Sequence, residues 1–176
     1  MIMVALLTAA TACGELDDIP QLGLRIAPGF EISLFADQAL APDVYSMTVA
    51  PSGEVIISSR GYIKRLTDKN GDGRADGDVM IAESRAGAMG MLFVDRTTLL
   101  TSEGGSFNRY RDLDGDGIFD PKPERIAQFR GGEHGLHAIR KDAQGRVYLI
   151  GGNDANFRGH ADIAGGPLGA PVPRTR

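Results

Sequence analysis

The sequence predicts an all-β protein, specifically a partial β-propeller of about two and a half four-stranded blades. Two observations carry the prediction: a composition rich in turn residues and a unit of blade length that repeats. The chain has 24 glycines and nine prolines among 176 residues that are 42% hydrophobic. Because Gly and Pro interrupt helices and set turn geometry, this favours many short strands joined by tight turns. A plain antiparallel sheet or sandwich is the alternative.

The first complete unit contains four short apolar runs after an introductory strand. That strand is Gly29 to Phe35, where apolar residues alternate with polar ones at the period of two expected for a strand. Two runs then flank a tight turn at Pro51-Ser52-Gly53, as in a hairpin. A third strand is predicted at 62–66, before an acidic loop, and a fourth at 79–82, after it.

The same layout returns in the next part of the chain. Strands are predicted at 91–94, 98–101, 107–110 and 125–129, with a second acidic loop before the last of them. The loops begin at Asp68 and Asp112, which are 44 residues apart, the length of a four-stranded blade. A third copy begins with strands at 136–139 and 146–150 and then fades.

Two and a half blades do not close a propeller, which usually has at least four. Open ends would expose strand edges that favour association. We therefore expect the chain to be a fragment or a truncated reading frame, so that the blades at 29–156 need missing propeller blades to close. Self-association as a half-propeller is the alternative. The segment 157–176 is predicted to be an irregular tail rich in Gly and Pro.

The amino-terminal residues 1–13 resemble a lipoprotein-type signal peptide with a lipobox. Met1 to Ala12 carry no charge, and Ala10-Thr11-Ala12 precede Cys13, the single cysteine. The run is shorter than the about 20 apolar residues of a membrane span, and small residues before a cleavage site are typical of signals. We expect an exported, periplasmic or cell-envelope protein whose lipidated Cys13 anchors it to a membrane, with a linker at 14–28. The alternative is a core strand ending in a buried cysteine.

The charge pattern excludes one class of partner. Net charge is -4, and the basic residues are scattered among acidic ones. No basic stripe is present to neutralise a phosphate backbone, so we expect no nucleic-acid partner.

The two acidic loops predict calcium sites. Oxygen side chains occupy positions one, three, five and nine, and Gly occupies position six, as in an EF-hand loop. Crowded carboxylates raise one another's pKa unless a hard cation neutralises them. The candidate ligands, with backbone carbonyls at position seven, are Asp68, Asn70, Asp72, Arg74 and Asp76 in the first loop and Asp112, Asp114, Asp116, Ile118 and Asp120 in the second.

Both loops depart from the EF-hand. Val79 and Pro123 stand where position twelve would hold Glu, and no amphipathic helix flanks either loop. Asp78 or Glu124 would have to complete the shell, so we expect modest affinity suited to an extracellular or periplasmic module. The alternative is a solvated Asp-Gly turn without metal.

The segment from Gly131 to Asn153 contains His134, His137 and Tyr148. It resembles the soluble quinoprotein glucose and sorbosone dehydrogenases and, more closely, the planctomycete-type membrane-bound dehydrogenase domain. The start at Pro28 to Ala36 and the stretch Gly87-Ala-Met-Gly-Met-Leu-Phe93 also resemble that domain. The resemblance covers about residues 22 to 156.

The resemblance implies an oxidoreductase in which His134 takes a proton from a sugar or polyol hydroxyl while hydride moves to pyrroloquinoline quinone. An imidazole suits this role because its pKa lies near neutrality, and Glu133 would tune it. A later Gly-His-Arg-Asn-Pro motif and a Cys-X-X-Cys-His haem motif of such proteins have no match here.

Other interpretations of the histidines are open. His134 would otherwise be a hydrogen-bonded turn residue, His137 a packing residue, and His160 a bystander. A metal pair of His134 and His137 is disfavoured, because positions i and i+3 of an extended chain face opposite ways.

Two functions follow. The first is the amino-terminal part of an exported quinoprotein-like sugar dehydrogenase, inactive as this stretch alone. The second is a non-catalytic, calcium-stabilised propeller module that binds glycan or protein.

Overall fold

A computed structural model describes residues 2–7, 15–129, 135–152 and 155, with the backbone alone for residues 2–7. These residues form fourteen β-strands and one three-residue 3-10 turn, Pro20–Leu22. The predicted all-β class is therefore confirmed. Within the same residues no helix has the length and apolar character needed to cross a bilayer.

The chain divides into two compact units, Met1–Asp43 with Leu66–Asp78, and Val44–Arg65 with Val79–Arg176. The first acidic loop belongs to the first unit and the second acidic loop to the second unit. Each unit is described separately below.

The first unit contains two pairs of antiparallel strands. Strand β1 pairs with β4, and β2 pairs with β3. In β4, Phe30, Ile32 and Leu34 are half-buried, and the residue between each pair of them is exposed. This alternation confirms the predicted strand. The strands are β1 (Ile2–Leu7), β2 (Asp17–Ile19), β3 (Leu24–Ile26) and β4 (Phe30–Ala36).

A short hairpin occupies the segment predicted to be a linker. Pro20 opens the 3-10 turn, and Gly23 ends it with a left-handed φ of 64° that suits glycine. Across the hairpin, Arg25 Nε lies 2.9 Å from Asp18 Oδ1. The predicted export signal covers β1; export and the lipid on Cys13 stay predictions, and Cys13 lies outside the described residues.

Three sheets follow in chain order. Each of the first two has four strands hydrogen-bonded to their sequence neighbours, and the described part of the third is a two-stranded antiparallel pair. The first sheet comprises β5 (Ser46–Val49), β6 (Val55–Ser59), β7 (Tyr62–Thr67) and β8 (Gly77–Ala82). The second comprises β9 (Ala88–Phe93), β10 (Thr98–Glu103), β11 (Ser106–Arg111) and β12 (Glu124–Gln128). The third comprises β13 (Leu136–Lys141) and β14 (Val147–Gly151).

The same tight turn joins the first two strands of each sheet. In the first sheet, Ala50 N–H donates to Glu54 O at 2.9 Å. The equivalent bonds run from Val94 N–H to Thr98 O at 3.0 Å and from Asp142 N–H to Arg146 O at 3.0 Å. These bonds fix which residues correspond between the sheets, and they confirm the predicted hairpins.

Among the described residues of the second unit, two hydrophobic cores are formed. The first core contains residues from β6 to β11 together with Phe119 of the second acidic loop. The second core contains residues from the second and third sheets, such as Leu100 and Ile139. Because each core draws on two successive sheets, burial depends on neighbours along the chain.

The first strands of successive sheets lie side by side: β5 contacts β9, and β9 contacts β13. Ser46 Oγ donates to Ala88 O at 2.6 Å, which links β5 to β9. On the other side of β9, Gly90 allows the backbone of β13 to approach, because a Cβ at this position would lie 2.0 Å from His137 O. Glycine is therefore required at this contact.

Candidate functional site

The first aspartate of the second acidic loop folds the loop around its own carboxylate. Asp112 Oδ1 accepts from Gly115 N–H at 2.7 Å, and Asp112 Oδ2 accepts from Gly117 N–H at 2.9 Å. Both glycines have positive φ, 78° and 84°, which places their N–H groups toward the carboxylate. Asp112 is buried, so its carboxylate forms the buried base of the loop.

Three carboxylates of this loop converge. Asp112, Asp114 and Asp116 each have a carboxylate oxygen within 4.8 Å of the others. Calcium binds oxygen at roughly 2.4 Å, so ligand atoms around one ion lie up to about 5 Å apart. Each carboxylate oxygen has two lone pairs, so an oxygen that accepts an N–H can also coordinate an ion. The donor set therefore fits a hard divalent cation.

The aspartate at position nine adds a second indication. Asp120 Oδ2 is buried and has no hydrogen-bond partner among the described residues. A buried carboxylate oxygen without a donor is costly unless a cation compensates it. The main-chain N–H of Asp120 donates to Arg111 O at 2.8 Å and holds the end of the loop next to its start.

The first acidic loop repeats this design. Asp68 Oδ1 accepts from Gly71 N–H at 2.7 Å and Asp68 Oδ2 from Gly73 N–H at 2.9 Å, as at Asp112. Asn70 stands at position three, and its Nδ2 donates to Asp72 Oδ2 at 3.0 Å. Asp76 Oδ2 accepts from Lys69 N–H at 2.9 Å. This loop has one carboxylate fewer and is the more exposed of the two.

Position seven, predicted to supply carbonyl ligands, is held by the aspartate at position five. Arg74 N–H donates to Asp72 Oδ1 at 2.8 Å, and Ile118 N–H donates to Asp116 Oδ1 at 2.7 Å. Of the two residues suggested to complete the shell, Glu124 pairs with Arg109 of β11, with Arg109 Nε 3.0 Å from Glu124 Oε2. Glu124 is therefore engaged away from the loop.

An apolar residue at position eight, Phe119, fixes the second loop to strand β8 and to the first core. Phe119 N–H donates to Ile81 O of β8 at 2.8 Å. The Phe119 ring lies 6.2 Å from Phe93 and 6.1 Å from Tyr110, within the first core. Sequence reasoning missed this anchor. A partial signal was present, since Phe119 is the aromatic residue of this loop, but Leu113 and Ile118 are also apolar and are exposed.

A cation lies against the outside of the second loop. A Cβ on Gly117 would be 3.0 Å from an Arg65 guanidinium nitrogen. Arg65 Nε also lies 3.4 Å from Glu54 Oε1. This arginine, which the sequence did not single out, faces the main chain of a loop that carries four aspartates.

A buried carboxylate in β10 is fully used within the protein. Glu103 accepts from Asn108 Nδ2 at 2.8 Å, from Tyr110 Oη at 2.7 Å and from Ser84 Oγ. Burial, followed by the charge of Glu103 and the hydrogen bond to it, raises the pKa of Tyr110 well above its usual range. With three donors, the carboxylate is structurally satisfied.

His134, the proposed catalytic base, lies outside the described residues, as do Glu133 and His160. His137 is half-buried in β13, and its carbonyl accepts from Ser102 Oγ at 2.5 Å. The interpretation of His137 as a packing residue stays a prediction, since this hydrogen bond involves only its backbone. A pairing of His137 with His134 stays untested.

No protein-family model matches the chain, and no curated protein matches it. One similar solved structure is the iodide structure of Trichoderma reesei Carbohydrate-Active Enzymes Family AA12, at 16% identity and a TM-score of 0.49. The match covers 57% of this chain and 27% of that chain, so this chain spans about a quarter of that structure.

Proposed function

We propose that this chain forms part of a β-propeller in which each acidic loop binds a calcium ion, and that the ions hold successive blades together. The observation that carries the proposal is the convergence of Asp112, Asp114 and Asp116 within 4.8 Å in a loop whose hydrogen bonds recur 44 residues earlier. A turn that only reverses the chain needs one aspartate, not four.

The sheet order supports the propeller part of the proposal. Four-stranded meanders that follow one another, with their first strands adjacent and cores drawn from successive sheets, are the relations expected between propeller blades. A sandwich would instead pair two sheets face to face around one core.

The calcium part is tested by titration of the full chain. We expect two sites with dissociation constants of about 10⁻⁴ to 10⁻³ M, as in extracellular calcium modules. Isothermal calorimetry gives the stoichiometry. The melting temperature should rise with added calcium chloride, because calcium at 100 times the dissociation constant of one site adds about 2.7 kcal/mol to the free energy of unfolding. Magnesium should stabilise less, because it demands a more regular shell.

Asp116→Asn is the informative variant. Its amide oxygen can still accept the Ile118 N–H, so the loop keeps its fold while one ligand charge is lost. Asp95→Asn is the matched control, since Asp95 caps Thr97 N–H at 2.9 Å in a hairpin outside both loops. We expect one site to weaken in Asp116→Asn and neither in the control. Equal calcium responses in the two variants would refute the metal site.

A second proposal is a sugar or polyol dehydrogenase that uses pyrroloquinoline quinone. It rests on the resemblance of the segment around His134, whose following residues form the hairpin β13 and β14. The test is dye reduction by the full chain with quinone, calcium and a panel of sugars. Activity lost in His134→Ala and kept in His160→Ala would support it, and equal activity in the two variants would contradict the role of His134.

We also propose export with a lipid on Cys13. Metabolic labelling with palmitate in a bacterial host tests it: label is expected on the wild type and not on Cys13→Ser. Unlabelled protein retained in the cytoplasm would contradict it.

A further inference from the structure

We propose that Arg65 is the resident counter-cation of the second acidic loop and that its charge lowers the affinity of that loop for calcium. The inference rests on the proposed calcium sites and names a regulator of one of them. Arg65 belongs to β7 of the first sheet, whereas the loop, residues 112–120, joins β11 to β12 of the second sheet. The affinity of the site therefore depends on the packing of one sheet against the next.

The Arg65 guanidinium lies against the main chain of the loop at position six. A Cβ on Gly117 would be 3.0 Å from Arg65 Nη1 and 3.7 Å from Arg65 Nη2. Gly117 N–H also donates to Asp112 Oδ2 at 2.9 Å. One residue of main chain therefore lies between the guanidinium and the carboxylate at the base of the loop.

The charge of Arg65 is only partly used by its own sheet. The side chain is 26% exposed, and Nε lies 3.4 Å from Glu54 Oε1, yet Nε is buried and has no hydrogen-bond partner among the described residues. Arg109, which stands 44 residues later, directs both Nε and Nη2 to one oxygen of Glu124. The Arg65 guanidinium instead directs its two terminal nitrogens toward the loop. Because the side chain is largely buried, water and salt screen its charge less than that of an exposed cation.

The composition of the two loops explains why the second one has this neighbour. The first loop carries three aspartates and, at positions two and seven, the cations Lys69 and Arg74. The second loop carries four aspartates and has Leu113 and Ile118 at those positions. A Cβ on Gly73, at position six of the first loop, would meet no atom of the described residues within 4 Å. The first sheet thus supplies from outside the positive charge that the second loop lacks in its own sequence.

A fixed cation acts in opposite directions on the empty loop and on ion binding. While no ion is bound, it offsets the repulsion among four carboxylates. When a divalent cation enters, the same charge repels it. Removal of the charge should therefore destabilise the ion-free loop and tighten calcium binding, whereas loss of a purely structural contact would weaken both.

The test is calorimetric titration of the full chain with calcium in the Asp72→Asn background, the parent of this series. The first loop of the parent has lost a ligand charge, but the amide oxygen can still accept the Arg74 N–H, so the second site dominates the titration. Arg65→Met removes the charge and keeps an unbranched stem, and Arg65→Lys keeps the charge.

Lys64→Met is the matched control. Lys64 is the neighbouring residue of β7 and is also half-buried, but its Nζ lies 5.1 Å from the centroid of the Tyr62 ring. Successive residues of a strand point to opposite faces, so this charge does not face the second loop.

In about 0.1 M salt, Arg65→Met should bind calcium about three- to tenfold more tightly than the parent, and Arg65→Lys and Lys64→Met should match the parent within about twofold. In about 1 M salt the gain should shrink, because it is electrostatic. Without calcium, Arg65→Met should melt at a lower temperature than Arg65→Lys. Unchanged or weaker calcium binding by Arg65→Met, an equal gain in Lys64→Met, or a gain that salt does not reduce would overturn the inference.

The wild-type titration keeps this inference apart from the proposed function. Calcium binding by the wild type and the parent, with no gain in Arg65→Met, would overturn this inference alone. Absence of calcium binding in the wild type and in every variant would overturn the proposed metal sites and this inference with them.

Discussion

Phe119 N–H donates to the carbonyl of Ile81 at 2.8 Å, so the loop that follows the third strand of one sheet is fixed to the fourth strand of the sheet before it. In the first unit, Ala75 N–H donates to Phe35 O at 2.7 Å in the same way. Phe119 and Ala75 both stand at position eight of their loops. The acidic loops are therefore contacts between successive β elements as well as candidate metal sites.

Phe119→Ala should destabilise the second unit by about 3 to 5 kcal/mol, because it removes a buried aromatic ring and leaves a cavity. Urea denaturation of the full chain measures the change. Leu113→Ala in the same loop is the control and should change stability by less than about 0.5 kcal/mol, since Leu113 is 74% exposed. Equal losses would contradict the assigned anchor.

Gly90→Ala should be poorly tolerated, because the added Cβ would lie 2.0 Å from the main-chain oxygen of His137. Either β9 or β13 must move, so we expect a loss of several kcal/mol or failure to fold. Gly77→Ala is the matched control: its Cβ would meet only the Thr67 Oγ1, at 3.1 Å. Near wild-type thermal stability of Gly90→Ala would show that the two strands do not approach in this way.

Tyr110→Phe should cost about 1 to 3 kcal/mol, because it leaves buried Glu103 one donor short. Glu103→Gln in the Tyr110→Phe background should recover part of the loss, since a neutral amide needs its third donor less. A double-mutant cycle by chemical denaturation measures the coupling. Additive losses would show that the two side chains act independently.

The Asp142 carboxyl should titrate at about pH 2. Partial burial acts to raise its pKa, but hydrogen bonds from Arg146, then Tyr148, and the charge of Arg146 lower it from 3.8. The unfolded pKa is the higher one, so Asp142 stabilises the fold above about pH 4 and loses that effect as pH falls toward 2. Carboxyl NMR titration of wild type and Arg146→Gln checks this: the variant should titrate closer to 3.8, and an unchanged value would contradict the pairing.

The strands were predictable because their signals are local. Alternation at Phe30, Ile32 and Leu34 and the turn at Gly53 depend on neighbours in the chain, and the structure has a strand or turn at each. The segment 17–26 was predicted to be a linker, because its two three-residue strands and three-residue turn are too short to give a periodic signal.

Long-range relations were not predictable in the same way. The spacing identified Asp112 and Asp120 as loop residues, but the fixation of Phe119 to Ile81 and the position of Arg65 against Gly117 join residues that are distant in sequence. A repeat shows which residues are equivalent. It does not show which surface each copy contacts.

The hydrogen bond from each acidic loop to a strand earlier in the chain also gives these contacts a direction along the sequence. An ion bound in the second loop, as proposed, would hold Phe119 in the first core, so its stabilising effect would fall on the sheet upstream of the residues that bind it. Removal of metal from one loop would therefore loosen the boundary behind it first, and exchange of amide hydrogens would accelerate at β8 before β12. The closure of the first sheet would then depend on the ion-binding loop of the second sheet.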